Sequence, residues 1–172
     1  EAGRRPLRRL RRVLVLVLRH RGYSGLGIGH PSVEPWQQLR AFAREHGIAH
    51  SSDLLVGITP DDPYVVDNEQ IRFDAGIPIP APIDPPHPFT YRRMPAQVCV
   101  AHRHTGGAEQ IAKTFAAIGV QWTPSEGWRL RCAPPFEIHY VDQGANDVVR
   151  ISWTDAYVPL DHHPDQHPGE AP

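Results

Sequence analysis

The chain has 172 residues, enough for one domain or one duplicated domain with a core of its own. Its 18 Lys plus Arg nearly balance 19 Asp plus Glu, for a formal net charge of -1, which excludes a nucleic-acid footprint for the molecule as a whole. Its two cysteines, Cys99 and Cys132, do not make the framework of a disulfide-built secreted domain and read as reduced, buried thiols of a cytoplasmic protein.

Residues 1–12 carry Arg4, Arg5, Arg8, Arg9, Arg11 and Arg12 and read as a solvated basic arm or linker. An alternative is a segment trailing from a DNA-binding domain. The apolar run 13–18 is too short for a signal peptide or a membrane span, and residues 13–19 are expected to form a buried strand. Gly22, Gly25, Gly27 and Gly29 follow without the spacing of a phosphate-binding loop. A helix is expected from Pro31-Ser32, with Val33, Trp36, Leu39, Phe42 and Ala43 at helical spacing and His46-Gly47 as its stop. Strands are expected over 54–59 and 70–79, separated by the turn Pro60-Asp61-Asp62-Pro63 and followed by a proline-rich crossing over 80–88.

The pattern then restarts. Residues 97–104 read as a strand, and 108–120 as a helix with Ile111, Phe115 and Ile118 on one face. A turn spans 122–128, a short strand 128–132, and longer strands 136–141 and 149–158. Residues 161–172, rich in His, Pro and Asp, are expected to be a disordered tail.

The order strand–helix–strand–strand thus occurs twice. With an offset of 81, Asp61, Asp74, Ala75 and Pro78 fall on Asp142, Asp155, Ala156 and Pro159; with an offset of 84, Arg19-His20 falls on Arg103-His104. The expected fold is α+β, a duplicated β-α-β-β unit with pseudo-two-fold symmetry. Its antiparallel sheet would carry both helices on one face and leave a concave groove between the halves.

Glu137 stands out, a single carboxylate in Phe136-Glu137-Ile138-His139-Tyr140 with Trp122, Trp128, Trp153 and Tyr157 nearby. Such a glutamate can meet a cation in a desolvated pocket or serve as a base of raised pKa. An ordinary half-buried strand would instead bury Phe136, Ile138 and Tyr140 and leave Glu137 in water. Other chemistry is poorly supported. His102 and His104 share a strand face but lack a third zinc ligand at recognisable spacing. Ser24, Ser32 and Ser125 lack a nucleophile-elbow context, and Asp61-Asp62 and Asp142 lack the oxygen density of a calcium loop. Asp74 and Asp155 read as structural residues at strand ends, and Trp36 and Phe115 as core before ligand contacts.

Arg19-His20-Arg21-Gly22 and Arg103-His104-Thr105-Gly106 resemble the two strand ends of GyrI-like domains, the effector-binding domains attached to many AraC-type bacterial regulators. The resemblance runs over about residues 13–160 through Val56-Gly57-Ile58, Asp61-Asp62-Pro63, Arg72-Phe73-Asp74-Ala75, Trp122, Pro124, Gly127, Phe136-Glu137-Ile138, Asp142 and Tyr157-Val158-Pro159-Leu160. It implies a groove between the halves that binds small, often cationic or amphipathic molecules, with Glu137 as the groove carboxylate. The candidate ligand-binding residues are Glu137, Trp122, Trp128, Tyr140, Tyr157, Trp36 and His139. Two places depart from the family pattern: Gly106-Gly107-Ala108-Glu109 lacks the usual aromatic, and His139 stands where a tyrosine is usual. The expected partners are a small molecule and a DNA-binding domain, with no membrane, no cofactor, no metal and no catalytic residue. The alternatives are a hydrolase using Glu137 as general base with Tyr140 or Tyr157, and a stand-alone modulator of gyrase.

Overall fold

A computed structural model of the chain describes residues 7–22, 33–62, 65–67, 69–107, 110–121, 127–142 and 149–162. The described elements are, in order, β1 (Leu7–Leu10), β2 (Val13–Arg21), α1 (Glu34–Glu45), β3 (Leu54–Ile58), β4 (Arg72–Ile79), β5 (Phe89–Met94), β6 (Gln97–His104), α2 (Ile111–Gln121), β7 (Trp128–Leu130), β8 (Phe136–Asp142) and β9 (Arg150–His162). Strand–helix–strand–strand recurs as β2-α1-β3-β4 and β6-α2-β8-β9. The fold is α+β: one mostly antiparallel, curled sheet with two helices.

The strands are ordered β1-β6-β9-β8-β3-β4-β2-β5, with β7 added beside β9. The two units therefore join at the antiparallel pair β3–β8, where Gly57 lies opposite Glu137 and Leu55 opposite His139. Two short links decide the overall shape. Arg11-Arg12 connects β1 to β2, and Pro95-Ala96 connects β5 to β6, yet each pair lies six places apart in the strand order. On a flat sheet six spacings would be about 29 Å, whereas Leu10 to Val13 reaches at most about 11 Å. The sheet must curl until its two ends approach each other.

The inside of the curl holds Val15, Val17, Val56, Ile58, Cys99, Ala101, Phe136 and Tyr157. The outer face carries the helices. Trp36, Leu39, Phe42 and Ala43 of α1 bury against Leu16, Leu18, Phe73, Ala75 and Ile77. Ile111 and Ile118 of α2 bury against Val100, Ala156 and Leu160. Each large apolar side chain so enclosed contributes roughly 1.5–3 kcal/mol. Helix α1 ends at Glu45 and is capped by His46, followed by Gly47 at φ +61°, a conformation that favours glycine.

The structure corrects several expectations. Residues 7–10 of the arginine-rich arm are not linker but strand, paired with residues 97–100 of β6. Strand β5 lies between the proline-rich crossing and β6, where no element was expected, and pairs with β2. Strand β9 continues to His162, two residues into the expected tail, because Trp128 and Arg129 pair with His162 and Asp161. Cys99 is buried, but Cys132 is exposed. The rest of the tail, the starting residues of both helices as expected from sequence, and the turn over 122–126 lie outside the described residues.

Candidate functional site

Strand β8 alternates as the sequence requires, with Phe136 inside the curl and Glu137 and His139 under the helices. Because both faces are covered, alternation leaves neither side in water. Glu137 is 1% exposed, which overturns the reading that placed it in solvent.

Glu137 lines a cavity of about 610 Å³. One wall is a stripe of α2 formed by Ile111, Ala112, Phe115 and Ala116; the others are residues 59–62 after β3 and residues 131–135 before β8. The lining is largely apolar, with Asp61, Asp62 and Arg131 as further charged groups. Asp61 is already committed. Its carboxylate accepts from the Arg72 main-chain N–H at 2.8 Å and from Arg72 Nε at 2.9 Å. These bonds hold its pKa down at about 2.

Beyond Ile111 lies a second cavity of about 390 Å³, lined in part by His104, His139, Trp153 and Thr154. His139, also 1% exposed, reaches towards the first cavity from here. Its Nε2 stands 3.2 Å from a Glu137 carboxylate oxygen, an ion-pair distance outside hydrogen-bond geometry. Its Nδ1 lies 2.8 Å from the Thr154 hydroxyl oxygen. Trp36 meets the imidazole edge-on at 5.0 Å between ring centroids and donates its indole N–H to the Val56 carbonyl at 3.0 Å. Trp36 is thus the core residue that orients His139.

The remaining sequence candidates are not gathered here. Trp128, on β7, packs against the α2 core and meets His162 edge-on at 4.8 Å. Tyr157 stacks on Phe136 at 5.2 Å inside the curl. Burial, then neighbouring Tyr140, push its hydroxyl pKa well above the usual range. Tyr140 stacks on Trp153 at 4.9 Å, and the Arg103 guanidinium lies over that indole. Both tyrosines project from the sheet face opposite Glu137, so neither can share a small substrate with it. Trp122 lies outside the described residues. Sequence reasoning missed Ala112, Ala116, Arg131, Pro134 and Pro135 as lining. The spacing of 111/115 and 112/116 marks one side of a helix, but not whether that side meets sheet or cavity.

A curled sheet that closes a buried carboxylate beneath a helix-walled cavity defines a small-molecule-binding domain. The chain belongs to the GyrI-like family: the family's sequence model, described as a GyrI-like small molecule binding domain, matches residues 7–160, beginning where β1 begins. The chain is similar to the transcriptional regulator BrlR of Pseudomonas aeruginosa, 27% identical over 140 residues, 80% of this chain and 49% of BrlR. It therefore spans about half the length of that curated relative. Among solved structures, the C-terminal domain of EcmrR shares the fold at a TM-score of 0.65 and 12% identity, over 91% of this chain and 96% of that one. A hydrolase from Listeria innocua shares it at 0.60 and 15%, over 92% and 93%. Among the described residues no helix is long and apolar enough to cross a membrane.

Proposed function

We propose that this domain senses a cationic, amphipathic small molecule held over Glu137 in the α2-walled cavity. The longer protein to which such a domain belongs would couple occupancy to a DNA-binding domain, and so to transcription. The observation that carries this reading is a carboxylate 1% exposed among apolar walls. A charge there is poorly screened and attracts a cation more strongly than it would in water. The Phe115 ring adds a face or edge for an aromatic cation. The likeness to a transcriptional regulator of about twice the length supports the coupling to transcription. The hydrolase reading loses both of the tyrosines it named, since Tyr140 and Tyr157 lie on the sheet face opposite Glu137.

Crystal violet, a permanent cation, and its neutral leuco form test the charge requirement. Glu137→Gln keeps the shape and removes the charge. It should weaken crystal violet by about 1.5–3 kcal/mol, as for a hydrogen bond to a charged group, and change leuco-dye binding far less. Equal affinities of wild type and variant for both dyes would overturn the reading.

A further inference from the structure

The geometry points to His139 as an internal cation that competes with the ligand for Glu137, so that taking up a cationic ligand expels a proton from the imidazole. This rests on the cavity reading above and adds a regulatory group to it. His139 Nε2 is 3.2 Å from the Glu137 carboxylate, and both side chains are almost wholly enclosed, at 2% and 1% exposure. In that setting an imidazolium would neutralise Glu137 from within the protein. A ligand cation would find a paired carboxylate. The neutral imidazole leaves the negative charge to the ligand.

The surroundings suit both forms. The Thr154 hydroxyl, 2.8 Å from Nδ1, can accept from an Nδ1–H or donate to a bare nitrogen, so neither state strands that atom. The ring cannot swing away easily. Trp36 closes one edge at 5.0 Å, and a Cβ placed on Gly57 would stand 3.3 Å from Nε2.

Other charged and titratable groups line the two cavities around the pair. From the 59–62 segment come Asp61, bonded to Arg72, and Asp62; from the 131–135 segment come Arg131, whose Nε lies 3.6 Å from the Asp161 carboxylate, and Cys132. From β6 comes His104, whose Nε2–H donates to the Gly107 carbonyl at 3.0 Å while its Nδ1 lies 2.7 Å from the Thr114 hydroxyl. Strands β3 and β4 present Leu55, Gly57 and Phe73, α1 presents Trp36, and α2 presents Ile111 and Phe115; none of these titrates.

The exchange balances as one monovalent cation bound and one proton released from Nε2 to water. Affinity should therefore rise with pH, by up to about tenfold per unit while His139 is protonated, and level off once it is neutral. Crystal violet is titrated into the chain from about pH 5 to 8, the range in which histidine changes charge. Protons released are counted calorimetrically in buffers of different ionisation heat. Wild type should show the rising limb and release up to one proton on it. His139→Gln should bind crystal violet more tightly than wild type at the acid end and lose the slope. His139→Asn is the second variant if glutamine disturbs folding. A pH-independent wild-type affinity with no proton released, or a variant that keeps the wild-type slope, would overturn the role of His139 and leave the cavity reading standing. No binding of crystal violet by wild type or variants at any pH would remove both.

Discussion

Arg19 and Asp74 face each other across the β2–β4 pair in a two-point ion pair, Nε to Oδ1 at 2.6 Å and Nη2 to Oδ2 at 2.9 Å. Asp74 is 1% exposed and also takes Arg92 at 2.7 Å. At the matched place in the second unit Arg103 pairs with Asp155, but both are more open to water. Burial decides the different worth of the two pairs. Asp74→Asn removes the charge between two guanidiniums and should cost about 1.5–3 kcal/mol. Asp155→Asn should cost about 0–1 kcal/mol, as for an exposed pair. Urea denaturation of the two variants should separate them; equal losses would mean that burial does not set their value.

Asp61 makes a prediction for the acid limb of stability. Its folded pKa, lowered to about 2 from 3.8 by Arg72, means that the folded state binds this proton less readily than the unfolded chain. The contribution is therefore complete above about pH 4 and disappears as pH falls towards about 2. In Asp61→Asn the midpoint of unfolding should fall less steeply with acid than in wild type. Parallel curves for the two proteins would remove Asp61 from the acid response.

Gly57 sits beneath the site. A Cβ there would come 2.8 Å from a Phe73 ring carbon as well as 3.3 Å from His139 Nε2. Phe73 is held by Trp36, with ring centroids 5.6 Å apart, so neither ring yields freely. Gly57→Ala should destabilise by about 1–3 kcal/mol, the usual cost of overfilling a packed core. It should also shift the His139 ring resonances in an NMR spectrum. A variant with unchanged stability and unchanged resonances would show that the space is looser than it stands here.

The two thiols should differ in reactivity. Burial pushes Cys99 up to about 12, whereas Cys132 is exposed and lines the cavity. Near neutral pH, iodoacetamide should label Cys132 in the native chain and reach Cys99 only after unfolding. Saturating crystal violet should slow labelling of Cys132. Unchanged labelling in the presence of bound dye would place the dye away from this cavity.

Much of the fold was legible without coordinates because helical and strand periodicities are local. Val33, Trp36, Leu39, Phe42 and Ala43 announced α1, and the repeated strand–helix–strand–strand order announced the duplicated elements. The matched Arg19/Asp74 and Arg103/Asp155 positions also stood in register before any contact was known. Glu137 could be singled out as one carboxylate among aromatics.

Long-range closure was not legible in that way. Leu7 and Leu10 sit among arginines and looked solvated; they are strand residues because the curled sheet brings β6 beside them, a partner about ninety residues away. Periodicity says which residues share a face of β8, but not which face another layer covers. Here the inside of the curl takes Phe136 with Tyr157, and the helices cover Glu137 with His139. Sequence alone determined the two strand–helix–strand–strand runs, though not β1 or β5, and drew attention to the carboxylate. Tertiary structure decided its burial, its imidazole neighbour and the exclusion of the two tyrosines from its cavity, because those depend on which distant surfaces meet.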